Sequence, residues 1–325
     1  MSEHFIKEIE IKKYKLFKDF KAEGFGRVNL IGGKNNVGKT AFMEACFLSA
    51  NSINLEYLAG ALINIWFIRN YIECEDAPEV EQLIEQFNNI NIRTNKNYLM
   101  IKIDSNDGKI FYNFNINKKI IKQNKKDFSV NEKYTKNIGF LDNTGITYEE
   151  IVELYEAIQE NDREEELNKE INRFDSNIEK FKIFKDIPKI KLKNLEKYIE
   201  LKELGDGLKE FISIISAIYS SKNGYLFIDE IANGIHYTNL DRLWEIILTL
   251  SKEQNVQVFA TTHSIECIES YARVSKKLLE DKKIDKEDIA FIEMGINKYD
   301  KPRAIVMDSE RFFDELEIGN EVRGW

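Results

Sequence analysis

The sequence predicts an α/β fold with a mixed central sheet, an antiparallel β flank and a helical insertion. Three stretches carry the prediction. Residues 28–31 are a short apolar run, followed at once by Gly33-Lys34-Asn35-Asn36-Val37-Gly38-Lys39-Thr40 and then Ala41. That octet matches G-x-x-x-x-G-K-[ST]. It opens a helical pattern with Phe42, Ala45, Cys46 and Ser49 at three- and four-residue spacing. Residues 225–228 are four apolar residues ending in Asp229-Glu230, a composition suited to a parallel strand buried on both faces. Residues 254–264 form another strand-like run ending in His263, with a helical pattern at 244–250 between the two.

The glycines of the first stretch let backbone N–H groups curl around phosphate oxygens, and the following helix adds the positive end of its dipole. Lys39 then reaches the β and γ phosphates of a nucleoside triphosphate, and the Thr40 hydroxyl ligates Mg²⁺. A glycine-rich turn matching by chance is the alternative, and the strand and helix signals on either side argue against it. An acidic pair at the C-terminal end of a parallel strand lies where open α/β sheets bind ligands. Asp229 is expected to hold Mg²⁺ through water and Glu230 to polarise the attacking water. A lone histidine is most often structural. At a strand end 33 residues after Glu230, His263 is expected to bond the γ-phosphate or orient the water.

At 325 residues, 43% hydrophobic and 12% aromatic, the chain can bury a large core and is not of disordered composition. The formal charge of −9 excludes a globally basic DNA-coating protein but leaves room for a local basic face. Few prolines and many Lys, Asn, Ile and Glu suggest an AT-rich genome, so lysine counts alone say little. Cys46, Cys74 and Cys267 are scattered and form no C-x-x-C, which indicates neither a zinc site nor a disulfide framework and fits a reducing cytoplasm. The N-terminus has no signal-peptide core. The longest apolar run, 58–68, is about half a membrane span and reads as a buried helix.

In chain order, residues 4–12 alternate as a strand, and 17–23 pair with them, Gly24 and Gly26 forming the turn. The helix after Thr40 runs to about Asn51, a second covers about 54–72, Pro78 breaks the pattern, and 79–89 is a third. Two strands at 98–103 and 110–116 flank Ser105-Asn106-Asp107-Gly108, a hairpin signal. The Lys/Asn-rich stretch 117–137 reads as loop or edge strand. In 147–181, Leu167, Ile171, Phe174, Ile178 and Phe181 repeat at 4-3-4-3 spacing, either a short coiled-coil seam or an ordinary amphipathic helix. Residues 178–193 alternate as a hairpin around Asp186-Ile187-Pro188. Lys180, Lys182, Lys185, Lys189, Lys191 and Lys193 make either one basic face or a lysine-guarded edge. A helix at 211–219, strands at 289–296 and 304–307 and a short helix complete the chain.

The phosphate loop, the Asp-Glu strand and Ala260-Thr261-Thr262-His263-Ser264 together resemble the ABC-type ATPases of the SMC, RecF and OLD (overcoming-lysogenization-defect) branch. The nearest likeness is to small stand-alone bacterial OLD-like ATPases, which often read L-G-D-G where this chain has Leu204-Gly205-Asp206-Gly207. The resemblance implies a P-loop NTPase with an ABC-ATPase-like mixed central sheet. It also implies a single bilobal ATPase domain over 1–325: lobe I with the phosphate loop at 1–145, a helical insertion at 146–177 that folds out, and lobe II at 178–325. It implies ATP and Mg²⁺ as ligands. Gly205, Asp206 and Gly207 of one protomer would cap ATP held by another, in a dimer or higher homo-oligomer. The family's signature serine position is Gly205 here, so backbone N–H groups and Lys209 would substitute. Asn233-Gly234 fills the place of the loop that crosses the dimer interface, without its usual Asp. No Mg²⁺-sensing glutamine is assigned. The resemblance leaves no room for a TOPRIM nuclease domain after His263 and is weak over 75–175.

It also implies a role: the ATPase of a multi-component anti-phage defence system, controlling a nuclease or toxin effector encoded nearby. A RecF- or SMC-like DNA-repair or chromosome-maintenance ATPase is the alternative, with DNA as a partner. A non-hydrolysing ATP-dependent scaffold or sensor is a third. No membrane partner is expected. Asn297-Lys298-Tyr299-Asp300 matches the N-K-x-D motif of GTPases, but no D-x-x-G follows Thr40 at a sensible distance, and a hairpin turn accounts for it better. A transporter subunit lacks support because its signature and helical subdomain are absent. A dinucleotide-binding oxidoreductase lacks it because no G-x-G-x-x-G follows the first strand.

Overall fold

A computed structural model describes residues 4–70, 79–143 and 145–318. The chain opens with β1 (Glu8–Tyr14), β2 (Phe17–Glu23) and β3 (Val28–Gly33), then α1 (Lys39–Asn51) and α2 (Leu55–Asn70). α3 (Val80–Gln86) leads into β4 (Ile90–Thr94), β5 (Tyr98–Asn106), β6 (Lys109–Ile116) and β7 (Lys119–Asn124). After β8 (Ile138–Leu141) come α4 (Tyr148–Gln159), α5 (Glu164–Phe174), β9 (Ile178–Phe184), β10 (Ile187–Leu192), β11 (Tyr198–Glu200) and α6 (Asp206–Ser220). The chain continues through β12 (Tyr225–Ile228), α7 (Leu240–Glu253), β13 (Gln257–Thr261), α8 (Ile265–Glu280), β14 (Ile289–Ile296), β15 (Pro302–Met307) and α9 (Ser309–Glu317).

The central sheet has the order β15-β14-β3-β13-β12-β8. All neighbours pair parallel except β15, which runs antiparallel to β14, so the sheet is mixed as expected. Its four inner strands, β14, β3, β13 and β12, are buried on both faces. Leu226, Ile228, Val258 and Ala260 join the core under α6, α7 and α8, whereas Phe227 and Phe259 join the core shared with α1 and the antiparallel sheet. Phe227 and Phe259 stack with centroids 5.5 Å apart, and Phe47 of α1 meets Phe227 edge-on at 5.5 Å. Burying strands on both sides is why these segments read as continuous apolar runs.

The β flank is a six-stranded antiparallel sheet of order β2-β1-β4-β5-β6-β7. The Lys/Asn-rich stretch supplies its edge strand, β7. The β5–β6 turn is Asp107-Gly108, both at positive φ, the two-residue hairpin geometry that the sequence signalled. β1 starts at Glu8 instead of residue 4. Its turn into β2 is at Lys15-Leu16, and Gly24 and Gly26 instead carry β2 into β3, with Gly24 N–H donating to Lys7 O at 2.9 Å. β4, β8 and β11 were not anticipated. The predicted break at Pro78, the end of the 54–72 helix and Cys74 lie outside the described residues.

The insertion packs down instead of folding out. Ile151, Tyr155, Leu167 and Ile171 sit in one core with Phe211 and Ile215 of α6, and Phe174 stacks on Phe211 at 3.9 Å. The apolar seam changes conformation midway: α5 ends at Phe174, and Ile178 and Phe181 belong to β9. Residues three apart face opposite sides of a regular strand. Here the pairing of β9 with β10 shifts between Lys191 and Leu192, and that bulge returns both side chains to the same core. The hairpin turn is Lys185-Asp186, both at positive φ. Strands from before the insertion (β3, β8) and after it (β12 to β15) share the central sheet, so the segments on either side of the insertion are joined by continuous pairing. No helix among the described residues is long and apolar enough to cross a membrane.

Candidate functional site

β3 delivers the phosphate loop between the central sheet and α1. Gly33 has φ 149°, and a Cβ there would lie 2.4 Å from Met294 O on β14, so only glycine lets the chain leave the sheet at this point. Gly38, at φ 100°, is the N-cap of α1, and no side chain caps that helix. The first N–H groups of α1 are thus available to an anion, reinforced by the helix dipole. Lys34, Asn35 and Asn36 are exposed, whereas Val37 and Ala41 face inward. Lys39 folds back over its own loop. Its Nζ donates to Gly33 O at 3.0 Å and Lys34 O at 3.1 Å and lies 4.0 Å from Glu230 Oε1. Burial pulls the Lys39 ammonium below the usual lysine range, and the Glu230 and Asp229 carboxylates oppose the shift.

The second half of the site comes from the ends of β12 and β13, which lie beside β3 in the sheet. The Thr40 hydroxyl is 3.1 Å from both carboxylate oxygens of Asp229. Thr261 Oγ1 donates to Asp229 Oδ1 at 2.5 Å and accepts the Glu230 N–H at 2.8 Å. Burial pushes the Asp229 carboxyl above its ordinary range. The Thr261 and Thr40 hydroxyls hold it down, and the Glu230 and Glu44 charges add to the rise. Glu230 has φ 55°, a left-handed backbone that costs a non-glycine residue on the order of 1 kcal/mol or more and that turns its side chain toward the loop. Its Oε2 lies 2.7 Å from Nδ1 of His263, which is largely exposed.

The donor set fits Mg²⁺. A hydroxyl and a carboxylate converge, both hard oxygen donors. Among the described residues there is no group of three or more His, Cys, Asp or Glu that could hold an ion alone. Magnesium is bound in that manner, by one or two protein oxygens with phosphate and water completing the shell.

Beyond Glu230 and His263 a cleft of about 710 Å³ opens between the Asn233-Gly234 turn and the start of α8. The structure thus gathers the Gly33–Thr40 loop, Asp229, Glu230 and His263 at one end of the sheet. It places Gly205, Asp206 and Gly207 elsewhere, at the start of α6. A Cβ on Gly207 would lie 2.8 Å from Gly234 O, whereas one on Gly205 would meet open space. Lys209 points its ammonium at the Tyr148 ring, 5.3 Å from the centroid. Burial lifts the neighbouring Glu210 to about 7, with Lys209 opposing and Asp142 and Asp206 adding.

Sequence reasoning missed a buried charge cluster behind the loop. Glu44 lies one helical turn after Thr40 and is 1% exposed. Its carboxylate accepts from Arg69 Nε at 2.6 Å and Arg69 NH2 at 2.8 Å, from Tyr14 OH at 2.9 Å, and from Lys15. Burial pulls Lys15 down to about 8, with Glu44 opposing, and pushes the Tyr14 hydroxyl well up. A single acid inside the apolar helix 41–48 was the available signal. Asn297-Asp300 is the β14–β15 turn, and Asn297 Oδ1 accepts the Tyr299 and Lys301 N–H groups at 2.8 and 3.1 Å. The Asn297 carbonyl is therefore committed to closing a turn.

The family described as "AAA domain, putative AbiEii toxin, Type IV TA system" matches residues 28–269. The chain is 26% identical to a Helicobacter pylori protein named ATP/GTP phosphatase, over 84% of this chain and 89% of that one. In structure it resembles an SMC head bound to the C-winged helix domain of ScpA, with a TM-score of 0.55, 12% identity and coverage of 94% and 99%. It also resembles the Pyrococcus furiosus SMC head with an extended coiled coil bound to the C-terminal domain of ScpA, with a TM-score of 0.51, 11% identity and coverage of 97% and 99%. The fold is therefore that of an SMC-like, ABC-type ATPase head.

Proposed function

The chain belongs to this AAA-domain family, and we propose that it is an ATP-hydrolysing switch whose active site is completed by a second copy of itself. The observation that supports the reading is the convergence of Lys39, Thr40, Asp229, Glu230 and His263 on the C-terminal ends of the parallel strands β3, β12 and β13. In this reading Lys39 leaves its two loop carbonyls and binds the β and γ phosphates. Thr40 and Asp229 hold Mg²⁺, which supplies charge neutralisation of the phosphates. Glu230 takes the proton of the attacking water, and His263, hydrogen-bonded to Glu230, orients that carboxylate and faces the γ-phosphate. ATP is preferred to GTP in this reading, because the one motif that could read guanine spends its Asn297 carbonyl on a turn.

The signature loop does not sit on its own chain's phosphate loop. It backs onto Asn233-Gly234 at the border of the cleft beside Glu230. ATP bound at Lys39 of one copy would therefore meet Gly205 to Gly207 of another, favouring a closed dimer by differential contact. Gly207→Glu is an impure test, since any side chain there strikes Gly234 O. Gly205→Glu is the cleaner one. It should leave ATP binding to the monomer unchanged, abolish ATP-induced dimerisation and slow turnover by about tenfold or more, the cost of one lost charge-assisted contact. A Gly205→Glu variant that still sediments as a dimer with ATP would count against the composite site.

For the cellular role, we propose the ATPase component of a cytoplasmic anti-phage system that restrains or fires a nuclease or toxin effector. Support comes from the family description, with its AbiEii toxin and type IV toxin–antitoxin system. Co-expression with the neighbouring reading frame should reduce plaque counts, and Glu230→Gln should remove the protection. Plaque counts that ignore Glu230 would rule the role out. The SMC-head likeness favours a second reading, a DNA-maintenance ATPase. DNA-stimulated turnover without any co-purifying effector would select it.

A further inference from the structure

We propose that the outer face of the small sheet β11-β10-β9 binds single-stranded nucleic acid. This goes beyond the ATPase reading and does not depend on it. Strand alternation sorts the hairpin into two faces. Phe181 and Ile190 point inward and are fully buried, packed with α4, α5 and α6. Lys180 and Lys182 of β9 and Lys189 and Lys191 of β10 point outward. The register sets Lys189 directly opposite Lys182 and Lys191 directly opposite Lys180. Four ammonium groups thus form a two-by-two block, although like charges directly opposite each other destabilise a strand pair.

Edge protection does not account for the block. Lysine commonly guards exposed strand edges, and β9 is an edge. β10 is the middle strand, paired on both sides, yet it carries half of the block. Neutralisation accounts for only part of it. Lys191 pairs with Glu179 at 2.8 Å and Glu200 of β11 stands directly opposite Lys189, whereas among the described residues Lys180 and Lys182 have no ion pair. On a chain of charge −9 this is a local reversal of sign.

The same face carries exposed apolar surface. Phe184 is 43% exposed, and its cross-strand neighbour Ile187 is 40% exposed. The Tyr198 ring meets Phe184 edge-on at 5.1 Å. Lysines two apart on a strand repeat about every 6.7 Å, comparable to the step between phosphates of an extended single strand. Lys182 Nζ lies over the Phe184 ring, 6.0 Å from its centroid, and would swing from the ring to a phosphate on binding. An exposed aromatic ring beside a row of cations is the recipe for holding unpaired bases: the cations track the backbone and the ring stacks on a base. A duplex hides the π-faces on which Phe184 would stack.

The test is fluorescence anisotropy of the full chain, without ATP, on a labelled oligodeoxythymidylate of about 15 nucleotides. Wild type should bind with a steep salt dependence. Lys182→Gln/Lys189→Gln should weaken binding at low salt by about tenfold or more and reduce the slope of log K against log salt by about 1.4, twice the single-strand increment of about 0.7. Phe184→Ala should weaken binding about tenfold and leave the slope intact. The double lysine variant should keep or raise the thermal midpoint, which shows that any loss is not misfolding. Three results would each overturn the proposal. Both variants could bind within twofold of wild type. A duplex of the same length could bind as tightly as the single strand. Polyglutamate could compete as well as the oligonucleotide, which would identify an acidic protein as the partner.

Discussion

Replacing Glu230 with Gln is expected to slow ATP turnover by about 10²–10⁴-fold, the usual worth of a positioned general base, while ATP affinity changes little. The change keeps the shape of the side chain and removes only its ability to take a proton. The amide can still face His263 and Lys39. Single-turnover measurement of phosphate release and an independent binding titration separate the two effects. Turnover near the wild-type rate would remove Glu230 from the chemistry. It would leave an ATP-dependent scaffold as the better account. If hydrolysis is lost but dimerisation persists with ATP, the variant traps the closed switch, which is the behaviour that a γ-phosphate sensor requires.

The largest expected effect on stability lies behind the loop. Arg69→Leu should destabilise the protein by about 2–3 kcal/mol. That is somewhat below the usual penalty for breaking a buried ion pair, because Lys15 and Tyr14 still reach Glu44. The carboxylate itself has no route to water. Adding Glu44→Gln should recover part of the loss, since a neutral amide is less costly to leave without its guanidinium and its oxygen still accepts from Tyr14 and Lys15. Urea midpoints of the two singles and the double make the cycle. A double variant no more stable than Arg69→Leu would mean that the cluster is not held as the structure shows. The cluster also adjoins the site: Glu44 follows Thr40 by one helical turn, and its charge adds to the shift of Asp229. Loosening it should therefore be felt at the phosphate loop.

What could be read from the sequence was whatever is local. The loop at 33–40, the strand ending in Asp229-Glu230 and the hairpin at Asp107-Gly108 each declare themselves within a dozen residues, because turn chemistry and strand burial act at short range. β8 did not. It is four residues long, without alternation, and it earns its place only by pairing with β12, where Gly139 leaves room for Leu226 and Ser221. The switch from α5 to β9 was hidden because a bulge gives a strand the spacing of a helix. Thr261, which joins Asp229 to Glu230, was read only as part of a strand. Glu44 stands out in its apolar helix, but its pairings with Lys15 and Arg69 were hidden because three distant segments supply them and no window along the chain contains all three.

The position of β3 in the sheet has a consequence for how the protein is made. Its neighbours are β13 on one side and β14 on the other, so the strand that carries the phosphate loop has no sheet partner until the ribosome has passed Thr261 and released it. At about 5–20 residues per second, that wait is on the order of ten seconds or more. During it, the apolar residues at 28–31 are exposed to holdase chaperones and to aggregation. β13 also stands between β3 and β12, so Asp229 and Glu230 come beside the phosphate loop only when β13 has docked.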